Sequence, residues 1–61
     1  MKLHVFNADN DKQVAINPEN VAAIKELDDG KTLIVLNGNF VCTVKESLTE
    51  VHSRLVAGGR S

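Results

Sequence analysis

Apolar and polar residues alternate at the period of a β-strand through most of this chain and switch to the period of a helix only near its end. Lys2 to Phe6 reads as a short strand, with Leu3 and Val5 on one face and His4 and Phe6 on the other. The polar run Asn7 to Lys12 follows. Asn and Asp tolerate left-handed backbone and bond to their own main chain, so this run predicts a turn. Gln13 to Ile16 resumes the alternation through Val14 and Ile16, and the two segments predict a hairpin with a loop longer than the minimum. In Asn17-Pro18-Glu19-Asn20, Pro18 fixes its own φ and pushes Asn17 toward extended backbone. From Val21 to Leu27 helical and strand spacings overlap; the reading adopted is a brief helical turn near Pro18 to Asn20, then a strand. Asp28-Asp29-Gly30 marks the turn after it.

Thr32 to Leu36 and Asn39 to Val44 flank Asn37-Gly38, the pair that a two-residue hairpin turn with positive φ at both central positions prefers. That turn would set Val35 opposite Phe40 and Leu33 opposite Cys42, with Ile34 opposite Val41 and Thr32 opposite Thr43 on the other side. One face would carry Leu33, Val35, Phe40, Cys42 and Val44, and the other Ile34, Leu36 and Val41. Glu46 or Ser47 opens a helix to about Val56: Ser47 and Glu50 have capping-box spacing, and Leu48, Val51 and Leu55 form an apolar stripe. Gly58 and Gly59 are expected to stop it, with 57–61 a flexible tail. The expected architecture is α+β: one domain over 1–61, a small twisted antiparallel sheet of four to five strands with one C-terminal helix packed on one face. A single helix covers a single face. Ile34, Leu36 and Val41 would then stay uncovered, and a second copy or a partner protein is the economical cover.

Composition narrows the classes further. The 61 residues are 43% hydrophobic and 25% charged, with a net charge of −1. A domain of this length leaves much of its surface exposed, so its core is marginal and oligomerisation is a natural reinforcement. The longest apolar run, Leu33 to Leu36, is far short of a membrane span, and MKLHVFNADNDK has no apolar h-region; the expected location is cytoplasmic. The single cysteine excludes an intrachain disulfide.

No motif announces catalysis. Cys42 falls mid-strand and reads as a structural thiol, since a reactive one needs exposure and a cationic neighbour. His4, His52 and Cys42 lack any close ligand spacing, so no metal site and no cofactor is expected. Asp9, Asp11, Asp28 and Asp29 serve turns, and the NADND run lacks the glycine and distal glutamate of a calcium loop. No glycine-rich phosphate loop or nucleophile elbow occurs, and the chain is read as non-enzymatic. Nucleic-acid binding would need a basic stripe with interleaved aromatics. Lys25, Lys31, Lys45 and Arg54 are the candidate phosphate contacts, but each has an acid nearby in sequence (Glu26, Asp29, Glu46, Glu50), which gives a mixed-charge surface.

The run Val14-Ala15-Ile16-Asn17-Pro18-Glu19-Asn20-Val21, then Ile24, Asp29-Gly30, Thr32 to Gly38, Val44-Lys45-Glu46-Ser47 and Glu50-Val51, resembles the small FlbD-like family, associated with flagella and swarming motility. The resemblance spans Leu3 to Leu55 and rests on an IN-P-x-x-I segment, a hairpin closing on glycine and a V-x-E-S-x-x-E-V helix start. The chain departs from that family at Asn7 to Lys12, where a tight Asn-Gly turn is usual. Asn17 to Leu55 also resembles the first half of a LytTR DNA-binding domain, and the length and terminal helix are similar to the carbon storage regulator, an RNA binder. Those two resemblances imply the alternative function, a nucleic-acid-binding regulator. The function expected first is a small interaction or regulatory module, homo-oligomeric or bound to another protein through Ile34, Leu36 and Val41.

Overall fold

Short-range bonds from their own polar residues close the loop before Gln13, the turn after Ile16 and the turn before Thr32, where the Asn10, Asn17 and Asp29 side chains each accept from the backbone N–H two residues on. The computed structural model describes residues 3–59. Strand β1 (His4–Asn7) pairs antiparallel with β2 (Gln13–Ile16), Phe6 opposite Val14 and Val5 opposite Ala15. The loop between them is held by Ala8 N–H donating to the Lys12 carbonyl at 2.6 Å, with Asp11 at φ 67°. Asn17 Oδ1 accepts from Glu19 N–H at 3.0 Å and caps a single 3₁₀ turn, Pro18–Asn20. Then come β3 (Val21–Glu26), β4 (Thr32–Leu36), β5 (Phe40–Val44) and helix α1 (Leu48–Gly59).

The class is α+β, as expected, but the five strands form two sheets, β1-β2 and β3-β4-β5, instead of one. Their join is brief because the ladder of β1 ends at Asn7 and the chain turns off into its polar loop. Ala8 bridges Val44, Asp9 N–H donates to the Thr43 carbonyl at 3.0 Å, and Lys45 N–H donates to the Asn7 carbonyl at 2.7 Å. Away from that bridge, Asn37 N–H donates to the Asn20 carbonyl at 2.8 Å, tying the β4–β5 turn to the 3₁₀ turn.

The β4–β5 hairpin corrects the expected register. Asn37-Gly38-Asn39 contains two overlapping pairs able to take left-handed backbone, and the second is used: Gly38 has φ 87° and Asn39 φ 68°. The loop therefore holds three residues. Leu36 lies opposite Phe40, Val35 opposite Val41, Ile34 opposite Cys42, Leu33 opposite Thr43 and Thr32 opposite Val44. A slip of one residue exchanges the faces of one strand relative to the other. Ile34, expected outside, is fully buried; Leu36 packs against the core; Leu33 and Val35, expected inside, lie on the outer face. Phe40, also expected in the core, is 69% exposed at the start of β5.

The core is Phe6, Ile16, Ile34, Val44 and Val51, with Val14, Ile24, Cys42 and Leu55 packed against it. His4 and Phe6 do point opposite to Leu3 and Val5, which stay exposed. The helix starts as its sequence predicts: Ser47 Oγ accepts from Glu50 N–H at 3.2 Å. The Glu50 carboxylate does not return to Ser47; it binds Arg54 Nη2 at 2.5 Å, so half of the capping box forms. The helix passes Val56 and continues to Gly59. Glycine costs about 1 kcal/mol against alanine in a helix but adopts helical dihedrals freely, so Ala57 to Gly59 are helix, not tail. Lys2 and positions 60–61 of the expected tail lie outside the described residues. Among the described residues no helix is long and apolar enough to cross a membrane.

Candidate functional site

Because β4 is central in its sheet, its side chains define two faces. Toward the core go Thr32, Ile34 and Leu36. Leu33 and Val35 point the other way, level with Val41 and Thr43 of β5 and with Ala23 and Lys25 of β3. This outer face is apolar at its centre. Val41 is 60% exposed, and Val35 directly across from it is half-buried, as is Leu33. The helix does not cover it, since Val51 and Leu55 join the core cluster with Ile34 on the inner face.

The three residues expected to form an interface are not brought together. Ile34 is enclosed at 0% exposure, Leu36 is half-buried on the same inner side, and Val41 alone projects from the outer face. Leu33, Val35 and Ala23 take the places that Ile34 and Leu36 were expected to fill. The sequence signal that could have found them is Asn39, a second residue tolerant of positive φ beside Asn37-Gly38.

A second apolar surface was not foreseen. A shallow cleft of about 370 Å³ lies between the β1–β2 hairpin, which contributes Leu3, Ala15 and Ile16, and the β4–β5 hairpin, which contributes Leu36 and Phe40. Asn17, Asn20 and Asn37 complete it, and among the described residues no charged side chain lines it. Leu3 is 52% exposed. Leu3 precedes β1, and Phe40 opens β5 beside the turn, paired with Leu36 at the last rung of the ladder.

The four candidate phosphate contacts are dispersed. Lys31 Nζ lies 3.7 Å from Asp29, and Lys45 donates to Asp11. The Lys45 ammonium holds the Asp11 carboxyl below the usual carboxylate range, and Asp11 in turn raises Lys45. Arg54 donates to the Val5 carbonyl at 3.1 Å and pairs with Glu50, and its guanidinium sits 5.4 Å from the centre of the Phe6 ring. These contacts anchor α1 to β1 while part of the side chain stays in solvent. Lys25 stands on the outer sheet face, apart from these. The four do not make the single basic stripe that phosphate tracking uses.

Cys42 is half-buried, and burial pushes its thiol pKa up, away from the thiolate. His4 Nε2 is buried without a hydrogen-bond partner, while His52 is exposed. Among the described residues no three His, Cys, Asp or Glu side chains are grouped to hold a metal ion. Compared with protein-family models, curated proteins and solved structures, the chain matches none.

Proposed function

We propose that this protein is a small non-enzymatic interaction module that self-associates through the outer face of its three-stranded sheet. The carrying observation is the Val35–Val41 pair beside Leu33: three branched apolar side chains on a sheet face that the helix leaves open. Sheets with one solvated face normally alternate apolar inside with polar outside. Here β4 is apolar on both sides from Leu33 to Leu36, the pattern of a strand covered twice. A second copy supplies the cover in a two-fold arrangement, Val41 of each against the Leu33 and Val35 region of the other. The FlbD-like resemblance is compatible with this reading, because the motifs it rests on are turns and a helix start that shape the scaffold.

Val41→Asp tests it. Fully burying a valine is worth about 1.5–3 kcal/mol. In a symmetric pair the loss occurs twice, and desolvating the two carboxylates adds to it. Light scattering over a dilution series should show the wild-type chain above its 6.6 kDa monomer mass and the variant at that mass, with unchanged far-ultraviolet circular dichroism. A wild-type chain that remains monomeric to about 1 mM, where a dimer of even about 4 kcal/mol would populate, ends this reading.

A further inference from the structure

We infer that two copies stack face to face with their strands running parallel, so that Lys25 of each pairs with Asp9 of the other. This rests on the self-association reading and adds the orientation of the pair and the charges that select it. The carrying observation is one row of side chains across the outer face. Lys25 of β3 lies opposite Leu33 of β4, and Leu33 lies opposite Thr43 of β5. The row extends past β5. Ala8 bridges Val44, with Asp9 N–H donating to the Thr43 carbonyl at 3.0 Å and Lys45 N–H to the Asn7 carbonyl at 2.7 Å. That is the bonding of an antiparallel rung, and it sets Asp9 opposite Thr43 on the same face. Lys45, two residues on from Thr43, has its pKa raised chiefly by Asp11 and further by Asp9, which puts the Asp9 charge near this face.

The row therefore has a cation at one end and an anion at the other, three strand spacings or about 14 Å apart. Both residues are exposed, and among the described residues neither takes part in an ion pair. Two copies that cover each other's faces are related by a two-fold axis lying between the sheets. An axis across the strands would set Lys25 over Lys25 and Asp9 over Asp9. An axis along the strands, passing between β4 and β5, reverses the row, so that Lys25 comes over Asp9 at both ends and Leu33 over Thr43. Like charges repel and opposite charges attract, so the charges choose the second axis.

The same axis serves the apolar row. Val35 and Val41 lie opposite each other on β4 and β5, and the rotation sets Val35 of one copy over Val41 of the other. Sheets packed in this way lie about 10 Å apart and within about 30° of parallel, a gap that the long stem of Lys25 spans. Lys31 of one copy comes over Lys45 of the other, but Asp29 and Asp11 already neutralise these two. The outer face is thus complementary to itself in both shape of charge and placement of apolar side chains, which makes a second copy its fitting occupant. Exposed ion pairs contribute little each, so Lys25 and Asp9 set orientation and salt sensitivity while the valines and Leu33 supply the burial.

Charge exchange tests it, by sedimentation equilibrium with interference optics, since the chain has no Trp or Tyr. Lys25→Glu and Asp9→Lys each bring like charges together at two places, and each should weaken the dimer about tenfold. The double variant exchanges both pairs and should return to within about threefold of wild type. An equimolar mixture of the two single variants should form a heterodimer in which both ends are complementary again. Raising NaCl from about 50 mM to about 500 mM should weaken the wild-type dimer and tighten those of the single variants, because screening removes attraction from one and repulsion from the others. Far-ultraviolet circular dichroism should be unchanged throughout, both residues being exposed. The orientation is overturned if the single variants dimerise as the wild type does while Val41→Asp is monomeric; the self-association reading then stands. It is overturned as well if the single variants weaken but neither the double variant nor the mixture recovers. A wild-type chain monomeric to about 1 mM ends both readings.

Discussion

Cys42 lies opposite Ile34 on β5 and leans against the core, where its sulfur trades hydration for apolar contact. Burial disfavours the thiolate and raises the thiol above its ordinary value of 9.0. Unfolding returns the group to water and lowers the pKa again. A group whose folded pKa is raised supports the fold below its unfolded pKa, and that support is lost as pH rises through the folded value. Thiol ionisation should therefore favour the unfolded chain only above about pH 9. The sharper expectation is kinetic. At pH 8, iodoacetamide should alkylate folded Cys42 several times more slowly than the urea-unfolded chain, because the thiolate is the nucleophile. Equal rates, followed by mass spectrometry, would show a thiol exposed as in the unfolded state. The same scale contains the residue that makes the observed hairpin register possible. Asn39 at φ 68° accommodates a hairpin shifted by one position, the register in which Ile34 faces inward and Val35 outward.

At the scale of elements, the clasp between β4, β1 and the start of α1 is the feature that joins the layers. Thr32 is fully buried, and its hydroxyl donates to the Glu46 carbonyl at 2.8 Å. The Glu46 carboxylate accepts from the backbone N–H of Asn7 at 3.1 Å and from its side-chain amide at 3.0 Å. One residue between strand and helix thus holds both sheets. Thr32→Val keeps the shape but leaves the Glu46 carbonyl without that donor. It should cost about 1–2 kcal/mol in urea unfolding, with Thr32→Ser closer to wild type. A loss below about 0.3 kcal/mol would mean that solvent satisfies the carbonyl instead. The elements themselves were legible in sequence. Pro18 and Asn17 announced the 3₁₀ turn, Asp29-Gly30 the β3–β4 turn and Ser47 the helix start, because each is a local effect of one or two residues. What was not legible depended on choices between equivalent local solutions. Asn37-Gly38-Asn39 offers two placements for positive φ, and the choice is made by which strand face the core accepts. The division into two sheets was hidden for a similar reason: it turns on how long β1 stays beside β5 after Ala8. The expectation of a sheet face left open by the helix placed Ile34, Leu36 and Val41 on it; the structure has Leu33 and Val35 beside Val41 there, with Ile34 buried and Leu36 on the inner side.

For the whole molecule the decisive quantity is how little core there is. Among the described residues five apolar side chains are buried, and others such as Val35, Leu33 and Leu55 are only half-buried. A domain of this size buries only about 60% of the surface its unfolded chain exposes, so its stability is marginal. Covering the outer face would then raise the stability of the fold as well as its mass. Association that favours the folded chain stabilises it by mass action, and the melting temperature must then rise with protein concentration. For a domain of this length a gain of about 1 kcal/mol moves the melting point by about 4–8 °C. Calorimetry between about 10 μM and 1 mM should accordingly show an upward drift of several degrees for the wild-type chain. Val41→Asp should remove the drift while leaving the dilute melting point nearly in place, since Val41 already stands 60% exposed in the single copy. Ile34→Ala provides the contrast. It opens a cavity in the core, so the dilute melting point should fall, by the equivalent of about 2–5 kcal/mol. Its consequence for the fold comes first, with association lost only as folding is lost. If Val41→Asp lowered the dilute melting point as far as Ile34→Ala, the outer face would be part of the single-copy fold, and the argument for a second copy on it would fail.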